Sequence, residues 1–401
     1  MRKSHKYLIT CICIAGAGIL ISGIGHILGG RVYGIGLNSS GIWVNTPNGN
    51  GARVAYIEEQ MELEDFDSMD IQVEFGNLKI EPADQFGVAY GKSSVSELSI
   101  DVTDGLLTVT ERPKASIQWN NVWNSHPIWL IGMGNSSPWQ KDEYVTVYLP
   151  RDAVLKDVAL QSESGNVSVS SITAESLELT AEFGNVTLEG ITCADTSIQV
   201  ESGDLKLTGY SDGNLTVKND FGSSVLENIS AREMTAEMES GNFSAENTTA
   251  DSLILTQQFG KTSLTNVTIA DAATVTSDSG DIKLNHISAN TLSLDSSFGS
   301  VSAKHITADT CTFQLESGGC EIDEFDTRDA TVEAQYGDVA FKLTNPIAGY
   351  ALNLDTEYGE IKINKETMGE KYKTLDAVSS ERKLVITCEN GNITLKDSSR
   401  P

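Results

Sequence analysis

Basic residues are scarce in this chain of 401 residues: 28 Lys and Arg stand against 56 Asp and Glu, giving a formal net charge of −28. A nucleic-acid-binding surface needs basic side chains to neutralise phosphates, so nucleic acid is excluded as a partner. Aromatic residues make up only 7% of the chain, and there are 8 prolines. The chain is too long for a single small core, and its composition suits an elongated stack of repeats.

Arginine is almost missing from the central region, where only Arg232 and Arg328 occur between Gly165 and Gly337. A glycan lyase or hydrolase site would need clustered carboxylates, or a base beside a cation, on one face. The acidic residues of this region recur at intervals and do not gather in one place. We therefore predict a protein that is not an enzyme, with no catalytic residue, no bound metal and no cofactor.

Cysteine is also sparse, and its positions do not predict disulfides. Cys11 and Cys13 lie in an apolar N-terminal run, while Cys311 and Cys320 fall on different strands of the repeats described next. We expect these last two to be small buried hydrophobic residues.

Glycine, in contrast, recurs at a nearly fixed interval. Of nine successive steps, eight are 19 residues long and one is 20. Such a period is typical of stacked copies of one supersecondary unit, and glycine permits the positive φ that a tight corner needs. The ten predicted corner glycines are Gly165, Gly184, Gly203, Gly222, Gly241, Gly260, Gly280, Gly299, Gly318 and Gly337.

Apolar residues alternate with polar ones at set distances from each glycine, here written G. Positions G+2 and G+4 form one alternating pair, positions G+12 and G+14 form another, and G+7 between them is usually apolar. A step of two indicates strands with one buried face. The fold class predicted is all-β: a parallel β-solenoid, specifically a right-handed β-helix, with repeats of about 19 residues.

The residue before each glycine alternates between serine and an aromatic residue, as in Ser164, Phe183, Ser202 and Phe221. If one coil has 19 residues, adjacent coils lie about 4.8 Å apart, and the alternation gives every ring a small neighbour. A coil of 38 residues would leave the same pattern, so both remain open at this point.

The N-terminus combines a basic tail, residues 1–6, with an uncharged run, residues 7–28. As a helix, these 22 residues would span about 33 Å, enough for a bilayer. Basic residues before the run predict a transmembrane signal anchor in the cell membrane, single-pass, with the C-terminal domain extracytoplasmic; a cleaved signal peptide is the alternative. Residues 29–62, rich in Gly, Asn and Ser, read as a flexible stalk.

The remainder divides into three predicted parts. Residues 63–150 form an N-terminal cap of the solenoid, residues 151–344 its regular repeats, and residues 345–401 a C-terminal cap where the period loosens. A Trp-rich segment, residues 117–140, interrupts the first cap and reads as a loop because Asn, Ser, Gly and Pro surround its rings. Its tryptophans either cover the open first coil or contact a partner or membrane; these candidate partner-binding residues are Trp119, Trp123, Trp129 and Trp139.

Two columns of polar residues are predicted from the repeat. Acidic residues two positions before the glycines would stack along one edge, which could bind calcium or simply keep the stack soluble. His286 and His305 both fall at G+6 and would lie on adjacent coils, but two histidines make only half a metal site. The acidic column comprises Glu163, Glu182, Glu201, Asp220, Glu239, Asp278 and Glu316.

The strand from Tyr144 to Pro150, followed by the corner Glu163 to Val167, resembles the DUF4097 β-strand repeat proteins, a bacterial adhesin-like family. The resemblance covers residues 63 to 397. It implies a pectin-lyase-like β-helix, membrane anchoring and an adhesive or envelope-associated role, with no catalytic residues to transfer.

We therefore expect a non-enzymatic cell-surface protein, an adhesin or binding scaffold that contacts envelope polysaccharide, a host surface or another membrane protein. A membrane-anchored sensor of cell-envelope stress is the first alternative, and a carbohydrate-active β-helix enzyme is the second.

Overall fold

The structure, a computed structural model, describes residues 34–38, 41–45, 56–93, 96–113, 128–131, 143–374 and 381–397. These residues divide into two units, a small one in the N-terminal part of the chain and a large solenoid. The predicted membrane span, residues 7–28, lies outside the described residues. Within the described ranges, no helix is long and apolar enough to cross a membrane.

The small unit contains a three-stranded antiparallel sheet in the order β2-β1-β9, made of β1 (Gly34–Asn38), β2 (Gly41–Asn45) and β9 (Ile128–Ile131). Gly36 pairs with Trp43 on one side and with Trp129 on the other. Two expectations are corrected here. The segment read as a stalk contains strands, and the Trp-rich segment read as a loop contributes one, because β-branched and aromatic residues in Ile-Trp-Leu-Ile favour extended backbone.

The solenoid begins with short strands and one longer one. They are β3 (Tyr56–Glu62), β4 (Ser68–Val73), β5 (Asn77–Ala83), β6 (Gly87–Ser93), β7 (Ser96–Thr103), β8 (Leu106–Pro113), β10 (Tyr144–Pro150) and β11 (Val154–Ser164).

Nine long strands form its regular part, one for each coil. They are β12 (Val167–Phe183), β13 (Val186–Ser202), β14 (Leu205–Phe221), β15 (Ser224–Ser240), β16 (Phe243–Phe259), β17 (Thr262–Ser279), β18 (Ile282–Phe298), β19 (Val301–Ser317) and β20 (Cys320–Tyr336).

The pairing of these strands confirms a parallel β-solenoid with coils of 19 residues. Val167 pairs with Val186, which pairs with Leu205 in turn, so each residue lies on the one 19 positions earlier. The 38-residue coil is thereby excluded. The single 20-residue step falls in β17, where the register shifts between Ile269 and Ala272.

Each coil has three inward-facing runs, which close the core from three sides. The burial alternates with a step of two inside a run and jumps by three between runs. In the first regular coil the inward residues are Val167 and Val169, then Ile172 and Ala174, then Leu177, Leu179 and Ala181. The sequence pattern had predicted the first and third of these runs as strands, and the second run corresponds to the apolar G+7 position.

A second corner, between the first two runs, lies at G+6. Its residues adopt positive φ throughout the array, with values from 53° to 74° in eight successive corners from Ser171 to His305. Asparagine, glycine and histidine fill most of these positions; Asn and Gly tolerate this conformation best. His286 and His305, which the repeat predicts on adjacent coils, both occupy this second corner.

The main corner depends on glycine for two reasons. The ten predicted corner glycines have φ between 131° and 149°, a region that side chains disfavour. In addition, a Cβ on any of them would overlap the carbonyl oxygen of the glycine one coil below. These ten glycines therefore lie where a larger residue would strain the backbone and overlap the neighbouring coil.

The last strands do not stack in chain order. They are β21 (Val339–Leu343), β22 (Tyr350–Tyr358), β23 (Ile361–Ile363), β24 (Glu366–Gly369), β25 (Lys371–Lys373), β26 (Arg382–Asn390) and β27 (Ile393–Asp397), with a 3-10 helix at Ile347–Gly349. Strands β26 and β27 insert between β20–β21 and the outermost coil, β22–β23.

Arg382 links the inserted strand β26 to β20 through two hydrogen bonds. Its Nη1 donates to Asp326 Oδ1 at 2.6 Å and to the Thr327 carbonyl at 2.7 Å. The end of the stack is covered by antiparallel pairing of β25 with β22 and of β24 with β23, which limits the exposed edge.

At the other end, β4 and β5 occupy the coil below β11 and β12, joined by the corner at Gly76. One coil further down, β8 and β10 pair with β4 and β5, and the chain leaves the solenoid between Arg112 and Glu143. The buried carboxylate of Glu111 closes this corner, accepting hydrogen bonds from the Phe75 and Gly76 amides at 3.1 and 3.3 Å.

Candidate binding surface

The aromatic residues that precede corner glycines form a single exposed column. The vertical order of the corners is fixed by the glycines, since a Cβ at Gly165 would meet Gly76, one at Gly391 would meet Gly337, and one at Gly359 would meet Gly391. Along this order every second corner carries a ring. We call this set the aromatic column: Phe75, Phe183, Phe221, Phe259, Phe298, Tyr336 and Tyr358.

The rings of the aromatic column are far more exposed than is usual for large apolar side chains. Their exposed fractions run from 53% for Phe75 to 72% for Tyr358, and the five between them lie at 57–60%. Apolar surface of this extent costs free energy in water. The near-identical exposure of successive rings indicates one repeated environment and not scattered surface residues.

Small residues separate the rings. Phe183 pairs with Ser164 and Ser202, and Tyr336 pairs with Ser317 and Asn390. Adjacent coils lie about 4.8 Å apart, so each ring has room above and below. The alternation predicted from the sequence is confirmed, and it extends to the terminal coils, where Asn390 takes the place of serine.

Beside the aromatic column runs a ladder of side chains at G+1. Asn166 Oδ1 accepts from the amide of Asn185 at 3.0 Å, and Asn185 Oδ1 accepts from the amide of Asp204 at 2.9 Å. Asp204 and Asn242 continue the pattern toward Ser223 and Lys261. This ladder fixes the carboxamides in one orientation, because their oxygens are committed to the backbone.

On the other side of the aromatic column lie the acidic residues at G−2. Five of the seven predicted members are exposed, and Glu182 and Asp220 are half-buried. At the first corner, burial and the nearby Glu163 carboxylate raise the pKa of Glu74. At this first corner, carboxylates on neighbouring coils therefore lie close enough to interact.

The histidine pair at G+6 is stacked. The rings of His286 and His305 lie 4.2 Å apart at an angle of 12°, and His305 Nε2 contacts the carboxylate of Glu324 on the next coil. In the described part of the chain, no group of three or more His, Cys, Asp or Glu is arranged to hold a metal ion.

The four described cysteines, Cys193, Cys311, Cys320 and Cys388, are free and buried, as expected for Cys311 and Cys320. Burial raises the pKa of both of these thiols to about 12, so neither is a nucleophile at neutral pH.

The structure describes one of the four predicted tryptophans. Trp119, Trp123 and Trp139 lie outside the described residues, and Trp129 lies in β9, in the small unit. Sequence reasoning had assigned the alternating rings a packing role only. The signal that could have identified them was already present, because a ring at a corner has no inward position to fill.

Comparisons with known proteins identify one matching family and several similar solved structures. The family model described as Toastrack DUF4097 matches residues 66–272 and 263–399. A structure of a candidate cell adhesion protein from Clostridium sporogenes is 11% identical, covering 86% of this chain and 100% of that one, with a TM-score of 0.17. No curated protein matches the sequence.

Two structures from Parabacteroides distasonis are also similar. A candidate adhesin is 10% identical over 86% of this chain and 98% of its own, with a TM-score of 0.29. A candidate lipid-binding protein is 14% identical over 87% and 98%, with a TM-score of 0.22. At such TM-scores these likenesses carry no functional argument, which must come from the chain itself.

Proposed function

The chain belongs to the DUF4097 Toastrack family, and on that premise we propose that it is a non-enzymatic, adhesin-like scaffold that binds an extended partner at the cell surface. The observation that carries this proposal is the aromatic column, seven exposed rings repeated at every second corner.

A repeated surface suits a repeated ligand. A single exposed ring contributes only about 0.5–1.5 kcal/mol to a contact beyond its buried area. Rings held on one rigid stack engage the same polymer together, because the first contact raises the effective concentration of the next. Useful affinity then arises from many weak contacts, without a deep pocket.

The arrangement of charged side chains along the edges of the regular array supports a binding role. The acidic side chains of the array repeat along an edge, and Arg232 and Arg328 lie on separate coils. The described thiols are buried. A partner would therefore be held and left chemically unchanged.

Retention on surface polymers tests the proposal. The full-length chain is incubated with insoluble cell-wall material and, separately, with membrane vesicles. We expect saturable retention on wall material, reduced about tenfold or more when Phe183, Phe221, Phe259 and Phe298 are all changed to serine. Serine is the residue that alternate coils carry at this position, so the variant should fold.

A matched control removes exposed apolar area elsewhere. Val154 and Ile254 are 66% and 52% exposed and lie outside the aromatic column, so changing both to serine should leave retention intact. Equal losses in both variants, or no saturable retention of the unaltered chain, would overturn the proposal. Retention on vesicles alone would favour the stress-sensor alternative.

We also propose that residues 7–28 anchor the chain in the cell membrane as a single pass, with the solenoid outside the cytoplasm. The uncharged run and the basic residues before it support this orientation. Protease added to intact cells that express the chain should remove the solenoid and leave a membrane-bound N-terminal fragment. Full protection of the solenoid would reverse the proposed orientation.

A further inference from the structure

We propose that the occupant of the aromatic column is an extended, uncharged β-1,4-linked polysaccharide, bound with one disaccharide for every two coils. This inference rests on the proposed binding function and names the ligand class for the same surface. It follows from the spacing of the rings, their exposure and the hydrogen-bonding groups beside them.

The spacing of the rings is set by the backbone. Phe183 and Phe221 are separated by one intervening coil, which carries Ser202. Two strand spacings amount to about 9.6 Å. The interval recurs without interruption from Phe75 to Tyr358, so a ligand that follows the column must have a matching repeat.

An extended β-1,4-linked glycan alternates with a period of two units, as the ring-bearing and serine-bearing corners do. Successive sugars in such a chain are flipped relative to each other, so the same face returns once per disaccharide. The C–H-rich face of a pyranose is flat and apolar, and it can cover an aromatic face as one ring covers another in offset stacking. Every second sugar would then meet a ring, and the sugars between them would lie over the small corners at Ser202, Ser240 and Ser279.

A polypeptide is less well matched to the hydrogen-bonding groups beside the rings, although one of its conformations matches their spacing. An extended strand repeats after about 6.8 Å, two residues of about 3.4 Å. Polyproline II repeats after about 9.3 Å, which is closer, but its proline units offer no N–H donors. Ionised carboxylates accept hydrogen bonds only, so exposed Glu201 and Glu239 beside the rings would find no partner on it.

Sugar hydroxyls can form hydrogen bonds with the side chains on both sides of the aromatic column. They can donate to the carboxylates at G−2 and accept from the carboxamides at G+1. The oxygens of Asn166, Asn185 and Asn242 are committed to the ladder, and their Nδ2 groups make no hydrogen bond to the described residues. The donors at Asn166, Asn185 and Asn242 thus lie across the aromatic column from the acceptors at G−2.

The negative charge of the protein surface further limits the chemical class of the ligand. The flanking carboxylates and the net charge of −28 would repel an anionic polymer. An uncharged glycan avoids this repulsion.

The test measures binding of the full-length chain by affinity electrophoresis and titration calorimetry. The probes are β-1,4-linked N-acetylglucosamine and glucose oligomers of two, four and six sugars, with α-1,4-linked maltohexaose, carboxymethylcellulose and polyproline as comparisons. We expect affinity to rise with each added disaccharide for the uncharged β-1,4 series, with at least tenfold weaker binding to every comparison.

A variant that moves a ring by one coil separates spacing from mere hydrophobicity. Phe221→Ser combined with Ser240→Phe keeps the number of rings and places one directly beside Phe259. We expect this variant, like Phe221→Ser alone, to bind one hexamer per chain where the unaltered chain binds two, because Phe259, Phe298 and Tyr336 still hold one hexamer at the original spacing. Circular dichroism and the unfolding midpoint check that both variants are folded.

Three outcomes would overturn the inference: unchanged hexamer binding by the moved-ring variant, preferred binding of polyproline or the anionic glycan, or no binding to either uncharged series. If the chain still shows column-dependent retention on wall material in these cases, the proposed function stands and only the ligand class is wrong. Loss of that retention as well would overturn both the proposed function and the ligand class.

Discussion

Gly241 illustrates how a single residue can be fixed by two independent constraints. Its φ of 132° is unfavourable for any side chain, and an added Cβ would overlap the Gly222 carbonyl oxygen one coil below. We predict that Gly241→Ala lowers the free energy of unfolding by about 2–4 kcal/mol, measured by urea denaturation followed by circular dichroism.

The control for this prediction is Gly349→Ala. Gly349 lies in the 3-10 helix, and a Cβ there would meet no atom within 4 Å. This change should stay within about 0.5 kcal/mol of the unaltered chain. Similar losses for both substitutions would show that the corner geometry is not what makes glycine necessary.

Glu111 makes the stability of the first corner depend on pH. Burial raises the pKa of this carboxyl above its ordinary value of 4.5, and hydrogen bonding and charge from Glu143 act in the same direction. A raised pKa in the folded state means that the stability contribution is present below pH 4.5 and is lost as pH rises through the folded value.

Glu111→Gln should remove this dependence, because a carboxamide oxygen can still accept from the Phe75 and Gly76 amides without becoming charged. We predict that the free energy of unfolding of Glu111→Gln, relative to that of the unaltered chain, increases as pH rises from 4 to 8. Glu237 is exposed on the array, so the free energy of unfolding of Glu237→Gln should change with pH in the same way as that of the unaltered chain. Parallel curves for Glu111→Gln would contradict the assignment.

At the scale of elements, the G+1 ladder joins coils that the strand pairing already holds together. It is interrupted at Lys261, whose own amide is bonded to Asn242 Oδ1 at 3.0 Å but whose side chain is not a hydrogen-bond acceptor. The ladder resumes at Asp281, which accepts from the amide of Ser300 at 3.0 Å.

Restoring the missing acceptor should therefore stabilise the array. We predict that Lys261→Asn raises the free energy of unfolding by about 0.5–1.5 kcal/mol, the usual contribution of one hydrogen bond. Asn185→Ala, which removes an existing acceptor for the Asp204 amide, should lower it by a similar amount. The idea fails if thermal and urea unfolding show no opposite effects for the two variants.

The elements differ in how far the sequence could predict them. Corner glycines and inward residues were predictable because they recur with the period, and the period follows from identical coils in contact. The left-handed G+6 corner was not, since Ser171, Gly190, Asn228 and His286 share a conformation and not a chemical type. Of the candidate site, the alternating rings and their corner positions were visible in the sequence, but their near-equal exposure and their continuation through the terminal coils required the structure.

The order of the coils at the two ends shows the same limit at the scale of the whole molecule. Gly359 precedes Gly391 in the chain, yet Gly391 stacks on Gly337 and Gly359 lies outermost. Both corners have the same local sequence pattern, so a local reading cannot tell which coil is internal. Only long-range contacts, such as Arg382 with Asp326, decide the order.

The acidic column gives the whole molecule a salt dependence that distinguishes repulsion from metal binding. Its carboxylates repeat at the strand spacing of about 4.8 Å, within the Debye length of about 30 Å at 0.01 M salt and about 10 Å at 0.1 M. Added salt should therefore weaken the repulsion between these carboxylates. We predict that the midpoint of thermal unfolding rises by about 2 °C or more between 0.01 and 0.3 M NaCl.

Divalent salts complete this test, because screening depends on ionic strength and coordination depends on the ion. CaCl2 and MgCl2 at equal ionic strength should raise the midpoint equally if the acidic column is only a hydrated edge. Changing Glu201 and Glu239 to glutamine should reduce the rise with every salt. A rise specific to calcium and lost in that variant would instead identify the column as a calcium site, and the proposed glycan would then share its edge with a cation.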